Sequence, residues 1–134
     1  MDLEASVKTV QQRIEAACAR AGREPGSVTL VAVTKGQPPE VVCAAAALGL
    51  SLFGENKVQE AKAKIPQCPD RLRWHMVGHL QTNKCRDAVG LFEMVQSVDS
   101  LHLAEDRIAV DQEGNGAANN GCFDQIKYSH TTLF

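Results

Sequence analysis

Apolar positions along this chain switch between two spacings, and the switches mark its elements. Leu3, Val7, Val10, Ile14, Cys18 and Ala21 recur three or four residues apart, which predicts an amphipathic helix over 2–21 stopped by Gly22. Residues 23–27, with Pro25 and Gly26, read as a turn. In Leu30-Val31-Ala32-Val33-Thr34-Lys35-Gly36 the spacing collapses to a continuous apolar run fit for a strand buried on both faces, ending in a lysine and a glycine. Pro38, Pro39 and Glu40 then open an alanine-rich helix reaching Leu48, with Gly49 past its end. Residues 50–54 predict a second strand, and Asn56 stands where an N-cap would precede a helix over 57–64 that Pro66 ends. Residues 73–78 predict a third strand, 83–88 a short helix and 92–98 a fourth strand, after which Asp99 or Ser100 would cap a helix over 101–110.

Thr29, Ser51, Trp74 and Met94 mark successive strands at steps of 22, 23 and 20 residues, each the length of one βα unit. Strict alternation predicts the α/β class: a parallel sheet with helices outside it, closed as a barrel or open and doubly wound. Residues 114–121 hold three glycines and three asparagines and read as a loop. They follow a helix instead of a strand, so the Gly-x-Gly they contain lacks the setting of a dinucleotide site. Residues 122–128 are a candidate fifth strand. A complete (β/α)8 barrel takes about 200–250 residues, and 134 give room for about half of one.

Composition narrows the function classes. A formal charge of −2 and a pI near 6.1 provide no electrostatic footprint for nucleic acid, and no Lys/Arg run offers a membrane-surface patch. The first residues lack the basic region of a signal peptide, and the longest apolar stretch, 41–50, is far short of a bilayer span, so a cytoplasmic protein is expected. Cys18, Cys43, Cys68, Cys85 and Cys122 include no Cys-x-x-Cys pair and suit neither a disulfide framework nor a zinc site.

Lys35 is the leading candidate for chemistry. In parallel sheets the C-terminal strand ends form the ligand-binding edge. A lysine there, half desolvated by apolar neighbours, would lose some of its charge and could attack an aldehyde as the neutral amine. The same residue also reads as a solvated lysine opening a loop. His75 and His79 are spaced as in helical zinc proteases, but the surrounding Trp-His-Met-Val-Gly reads as strand, where four residues span about 13 Å, and no metal is expected. His79 falls just past the third strand on the edge of Lys35, as a ligand-facing group or as a loop histidine bonded to backbone. Asn56 could offer its amide to a ligand, cap the following helix, or both. Gln81, Asn83 and Lys84 add polar groups to the same rim, whereas His102 and His130 read as surface residues. Neither a phosphate-binding P-loop nor a Gly-x-Ser-x-Gly elbow occurs.

Four stretches together resemble the pyridoxal phosphate homeostasis proteins, whose fold is similar to the barrel domain of bacterial alanine racemase. They are residues 30–35 (Leu-Val-Ala-Val-Thr-Lys), 53–60 (Phe-Gly-Glu-Asn-Lys-Val-Gln-Glu), 74–84 (Trp-His-Met-Val-Gly-His-Leu-Gln-Thr-Asn-Lys) and 95–100 (Val-Gln-Ser-Val-Asp-Ser), in the family's order and spacing. The resemblance implies the N-terminal half of a (β/α)8 barrel, pyridoxal 5′-phosphate as cofactor, a Schiff base on Lys35, and Asn56 beside it. It covers residues 1–110 and fades over 111–134, so a single partial barrel domain over 1–134 with a divergent tail is expected. It also implies a carrier of the vitamin more than a catalyst, since a racemase needs two opposed acid/base groups and the one tyrosine is Tyr128 in the tail. Two other readings stand beside it, a racemase-like enzyme and a fragment that acts by association. Family members place their phosphate-binding turns in the last barrel strands, beyond this chain's extent. Weakened binding, and self-association through unpaired sheet edges, are therefore expected.

Overall fold

The computed structural model describes residues 2–97. Strand β1 (Ala32–Val33), β2 (Leu52–Glu55), β3 (Arg73–Met76) and β4 (Met94–Val95) form one sheet, all pairs parallel. Helix α1 (Leu3–Ala21) precedes the sheet, and α2 (Pro39–Ala47), α3 (Val58–Lys64) and α4 (Cys85–Leu91) connect its strands. The strand order is β1-β2-β3-β4, each strand beside its predecessor. A doubly wound sheet reverses direction at a switch point, whereas a barrel adds every strand on the same side. The order therefore selects barrel winding, which the strand spacing alone left open.

Register assigns the side chains to two faces. Ala32, Phe53 and Trp74 share one face, followed by Thr34, Glu55, Met76 and Val95. This outer face meets Val42, Ala45 and Ala46 of α2, Val58 and Ala61 of α3, and Cys85 and Ala88 of α4 in one core. Phe53 is fully buried there, its ring centroid 5.5 Å from that of Trp74. Val33, Gly54, His75 and Met94 lie on the opposite, inner face. A Cβ on Gly54 would meet Val31 at 3.1 Å and Val77 at 3.2 Å, so these valines close over a position without a side chain. Val33 at the sheet edge nevertheless stays 53% exposed.

The helices begin and end close to expectation. Asp2 caps α1, its carboxylate accepting from Ala5 N at 3.2 Å, and Arg23 N donates to Cys18 O at 2.9 Å past its end. Residues 25–27 and 65–67 form single 3₁₀ turns at Pro25 and Pro66. The strands are shorter than the apolar runs suggested, because ladder pairing covers only part of each run. Asn56 does not cap α3. Lys57 holds that position with an extended backbone and no side-chain cap bond, since β2 continues to Glu55 and leaves two residues to cross to the helix. The predicted helix over 101–110, the loop at 114–121, the candidate strand over 122–128, His102, His130 and Tyr128 lie outside the described residues.

Candidate functional site

Parallel pairing brings four strand ends to one edge of the sheet. Thr34 and Lys35 follow β1, Asn56 follows β2, Gly78 and His79 follow β3, and Gln96 and Ser97 follow β4. Loops leaving such an edge carry the site in barrel enzymes because the strands fix their roots while their side chains stay variable.

The turn at Lys35 is held from below. Thr34 N donates to Gly54 O at 2.9 Å, extending the β1–β2 ladder, and Gln37 N donates to Thr34 O at 3.0 Å. Gly36 has φ 71°, the left-handed conformation that a side chain would strain. Its N–H donates to Glu60 Oε1 at 2.6 Å. Lys64 reaches up from the last turn of α3, its side chain 5% exposed, and donates to Thr34 O at 2.8 Å, Glu55 Oε1 at 2.5 Å and Glu60 Oε1 at 3.0 Å. Thr34 Oγ1 donates to the same Glu55 oxygen at 2.9 Å. Burial alone would pull the Lys64 amine down, but its hydrogen bonds to Glu55 and Glu60 outweigh that and hold it above the ordinary lysine value. The Lys64 ammonium and then the Gly36 N–H hold the Glu60 carboxyl below the usual range. Lys35 itself is exposed, as the solvated reading of its sequence has it and not as the half-desolvated one does. The reason lies in the sheet, where β1 is an edge strand among the described residues and Val33 beside it is uncovered.

A separate cleft of about 440 Å³ opens between the next two strand ends, lined by Asn56, Lys57, Val58, Gln59, Gly78, His79, Gln81 and Lys84. That volume is within the range of small-molecule sites, about 300–1,000 Å³. Its floor depends on Gly78, where an added Cβ would lie 2.6 Å from Asn56 Cα. The absence of a side chain lets the loop after β2 lie directly on the loop after β3. Ser97 Oγ donates to Gly78 O, tying the end of β4 to the same point. The cleft thus joins two of the expected residues, Asn56 and His79, with Gln81 and Lys84, while Lys35 is not part of its wall. Amide, ammonium and imidazole donors suit an anionic, oxygen-rich ligand, and the exposed Lys35 amine on its fixed turn suits an aldehyde.

Sequence reasoning overlooked Glu55, Glu60 and Lys64. A glutamate ending the buried run Leu-Phe-Gly-Glu requires a partner, and Glu60 with Lys64 forms a helical i,i+4 pair, so a signal was present. On the inner face His75 is buried at 5% exposure, its Nδ1 lies 2.9 Å from Gln96 Nε2, and its Nε2 stands 3.4 Å from Glu93. Burial pushes the imidazole below its ordinary pKa against the pull of Glu93. Arg73 donates to Glu93 at 2.8 Å and holds that carboxyl low. No group of three or more His, Cys, Asp or Glu among the described residues is arranged to hold a metal ion.

No family model matches the chain. It is 43% identical over 101 residues to the pyridoxal phosphate homeostasis protein of Pseudomonas aeruginosa, covering 75% of this chain and 44% of that protein. Among solved structures it is similar to PipY of Synechococcus elongatus PCC7942 with PLP bound, at 42% identity and TM-score 0.63 over 77% of this chain and 49% of PipY. It is similar also to an unknown protein from Bifidobacterium adolescentis, at 33% identity and TM-score 0.79 over 84% of this chain and 50% of that one. The chain spans about half the length of the curated relatives it matches.

Proposed function

Because the chain belongs to the pyridoxal phosphate homeostasis protein family over the half that it spans, we propose that it binds pyridoxal 5′-phosphate in intracellular vitamin B6 homeostasis, held as a Schiff base on Lys35. The observation that carries this reading is the turn at the end of β1. There a primary amine is exposed while the backbone on both sides of it is hydrogen-bonded to α3. The cofactor supplies an aldehyde carbon that condenses with a primary amine, with loss of water.

The other residues then have definite tasks. Thr34 and Gly36 fix where the Lys35 side chain leaves the backbone. Asn56 and His79 offer polar contacts from the neighbouring strand ends, and Lys57 and Lys84 add positive charge around the same cleft. The uncovered Val33 and the open edge of β1 favour association with a further sheet, a second copy of this chain included. No helix among the described residues is long and apolar enough to cross a membrane.

The test is borohydride reduction of the full chain with added pyridoxal 5′-phosphate, followed by peptide mapping. Covalent label at Lys35, lost in Lys35→Ala, is the expected result. Label spread over surface lysines, unchanged by that substitution, would refute the assignment. Amino-acid turnover that disappears in Lys35→Ala would instead favour the racemase-like alternative.

A further inference from the structure

Beneath this edge lies another lysine, Lys64, and it is buried. Lys64 Nζ has three N–H donors, and each has an acceptor: Thr34 O, Glu55 Oε1 and Glu60 Oε1. Both carboxylates pass the contact onward. Glu55 Oε1 also accepts from Thr34 Oγ1, and Glu60 Oε1 accepts from Gly36 N. The residues on either side of Lys35 are therefore tied, through one ammonium group, to a helix some thirty positions further along the chain.

Net stability is a poor explanation for this arrangement. Desolvating an ammonium and two carboxylates offsets much of their attraction, and well-packed apolar side chains often do as well. What apolar packing could not supply is a set of directed hydrogen bonds to Thr34 O and the Gly36 N–H. These are the groups that orient the Cα–Cβ bond of Lys35. The Lys35 side chain is exposed and gains no guidance from packing, so its approach to a ligand depends on its backbone.

We propose that Lys64, acting through Glu55 and Glu60, is a positioning residue for Lys35, an inference that rests on Lys35 being the cofactor-bearing amine. Lys64 touches no ligand. It sets the direction from which the Lys35 amine adds to the aldehyde carbon, a step in which the C–N bond forms and the amine's two protons leave with the aldehyde oxygen as water. Orientation effects of this kind are large, and a misplacement of about 1 Å can cost about 100-fold in rate.

The test uses the full chain. Glu60 is half-buried on the surface of α3, so Glu60→Ala removes the Gly36 acceptor without emptying the core, whereas Glu60→Gln keeps an oxygen for it. Two quantities are measured: hydrogen exchange of the peptide containing Gly36 without cofactor, and the rate of borohydride-trappable attachment of pyridoxal 5′-phosphate at Lys35. Glu60→Ala is expected to exchange faster at Gly36 and to attach about tenfold more slowly, with Glu60→Gln recovering most of the rate. Lys64→Met, where circular dichroism shows it folded, is expected to attach at least as slowly as Glu60→Ala. Attachment within twofold of the unsubstituted chain in Glu60→Ala or folded Lys64→Met, or a Glu60→Gln as slow as Glu60→Ala, overturns the proposal. No attachment at Lys35 in the unsubstituted chain refutes the cofactor assignment itself and the positioning role with it, a result distinct from attachment that is indifferent to the variants.

Discussion

The two faces of the four-stranded sheet are built to different degrees. On the outer face Phe53, Glu55, Trp74, Met76 and Val95 are all buried, because α2, α3 and α4 of the same chain cover them. On the inner face His75 is buried but Val33 is about half exposed, and small or absent side chains such as Gly54 let Val31 and Val77 close over part of the surface. A βα unit brings its own helix, so the outer core is complete unit by unit. The inner core of a barrel is shared among all its strands, and the four described strands form only part of it. Substitutions should therefore cost much on one face and little at the edge of the other.

The largest effects belong to the outer face. Phe53→Ala should cost about 3–5 kcal/mol, since a fully buried aromatic leaves a cavity against Trp74. Lys64→Met should cost about 3–5 kcal/mol as well, because it leaves Glu55 and Glu60 without their ammonium. Both are read from denaturant unfolding. A loss below 1 kcal/mol for either would mean that the outer face is not the built face.

Gly78→Ala comes next. A methyl pressed onto the Asn56 backbone should cost about 1–3 kcal/mol and displace the loop after β2. Reduced labelling of the cleft lysines Lys57 and Lys84 by an anionic aldehyde would report the displacement. An unperturbed loop in this variant would show that the cleft does not depend on the glycine.

The buried inner-face histidine predicts a pH effect. His75 titrates lower in the folded chain than in the unfolded chain, where its pKa is about 6.5. As pH falls below that value the unfolded chain takes up the proton first, so stability is lost until folded His75 also titrates. Replacing His75 with Gln should flatten the unfolding midpoint between that lowered value and pH of about 6.5. A slope that survives the substitution would place its source elsewhere.

The smallest effect sharpens the contrast. Val33→Ala removes a side chain that is 53% exposed, and is expected to change stability by less than about 0.5 kcal/mol. A loss of several kcal/mol would show that this edge is covered in solution, and sedimentation would then identify a second copy as the cover.

Much of this was legible in the chain. The periods of three to four and the apolar runs give α1, the order of strands and helices, and the placement of Lys35, Asn56 and His79 on one edge, because those features depend on residues near one another in sequence. Of the two roles that asparagine offers at position 56, ligand contact and helix capping, the capping one is excluded only by the path of the chain, in which β2 runs on to Glu55 and Lys57 stands ahead of α3. Lys35 reads from its sequence either as half desolvated or as solvated at the start of a loop, and it is exposed, because desolvation is set by neighbours in space and not by apolar neighbours in sequence. The partnership of Lys64 with Thr34 was beyond local reading, since thirty positions separate them.

The alternation of strand and helix, the four family-like stretches and the amine at the end of β1 are each written in local pattern. The tertiary structure alone decided the barrel-wise strand order, the separation of Lys35 from the cleft at Asn56 and His79, and the burial of Lys64 beneath the turn. Those depend on which strands pair and how closely loops approach. Such outcomes follow from packing and hydrogen-bond geometry among distant residues, and no short stretch of sequence contains them.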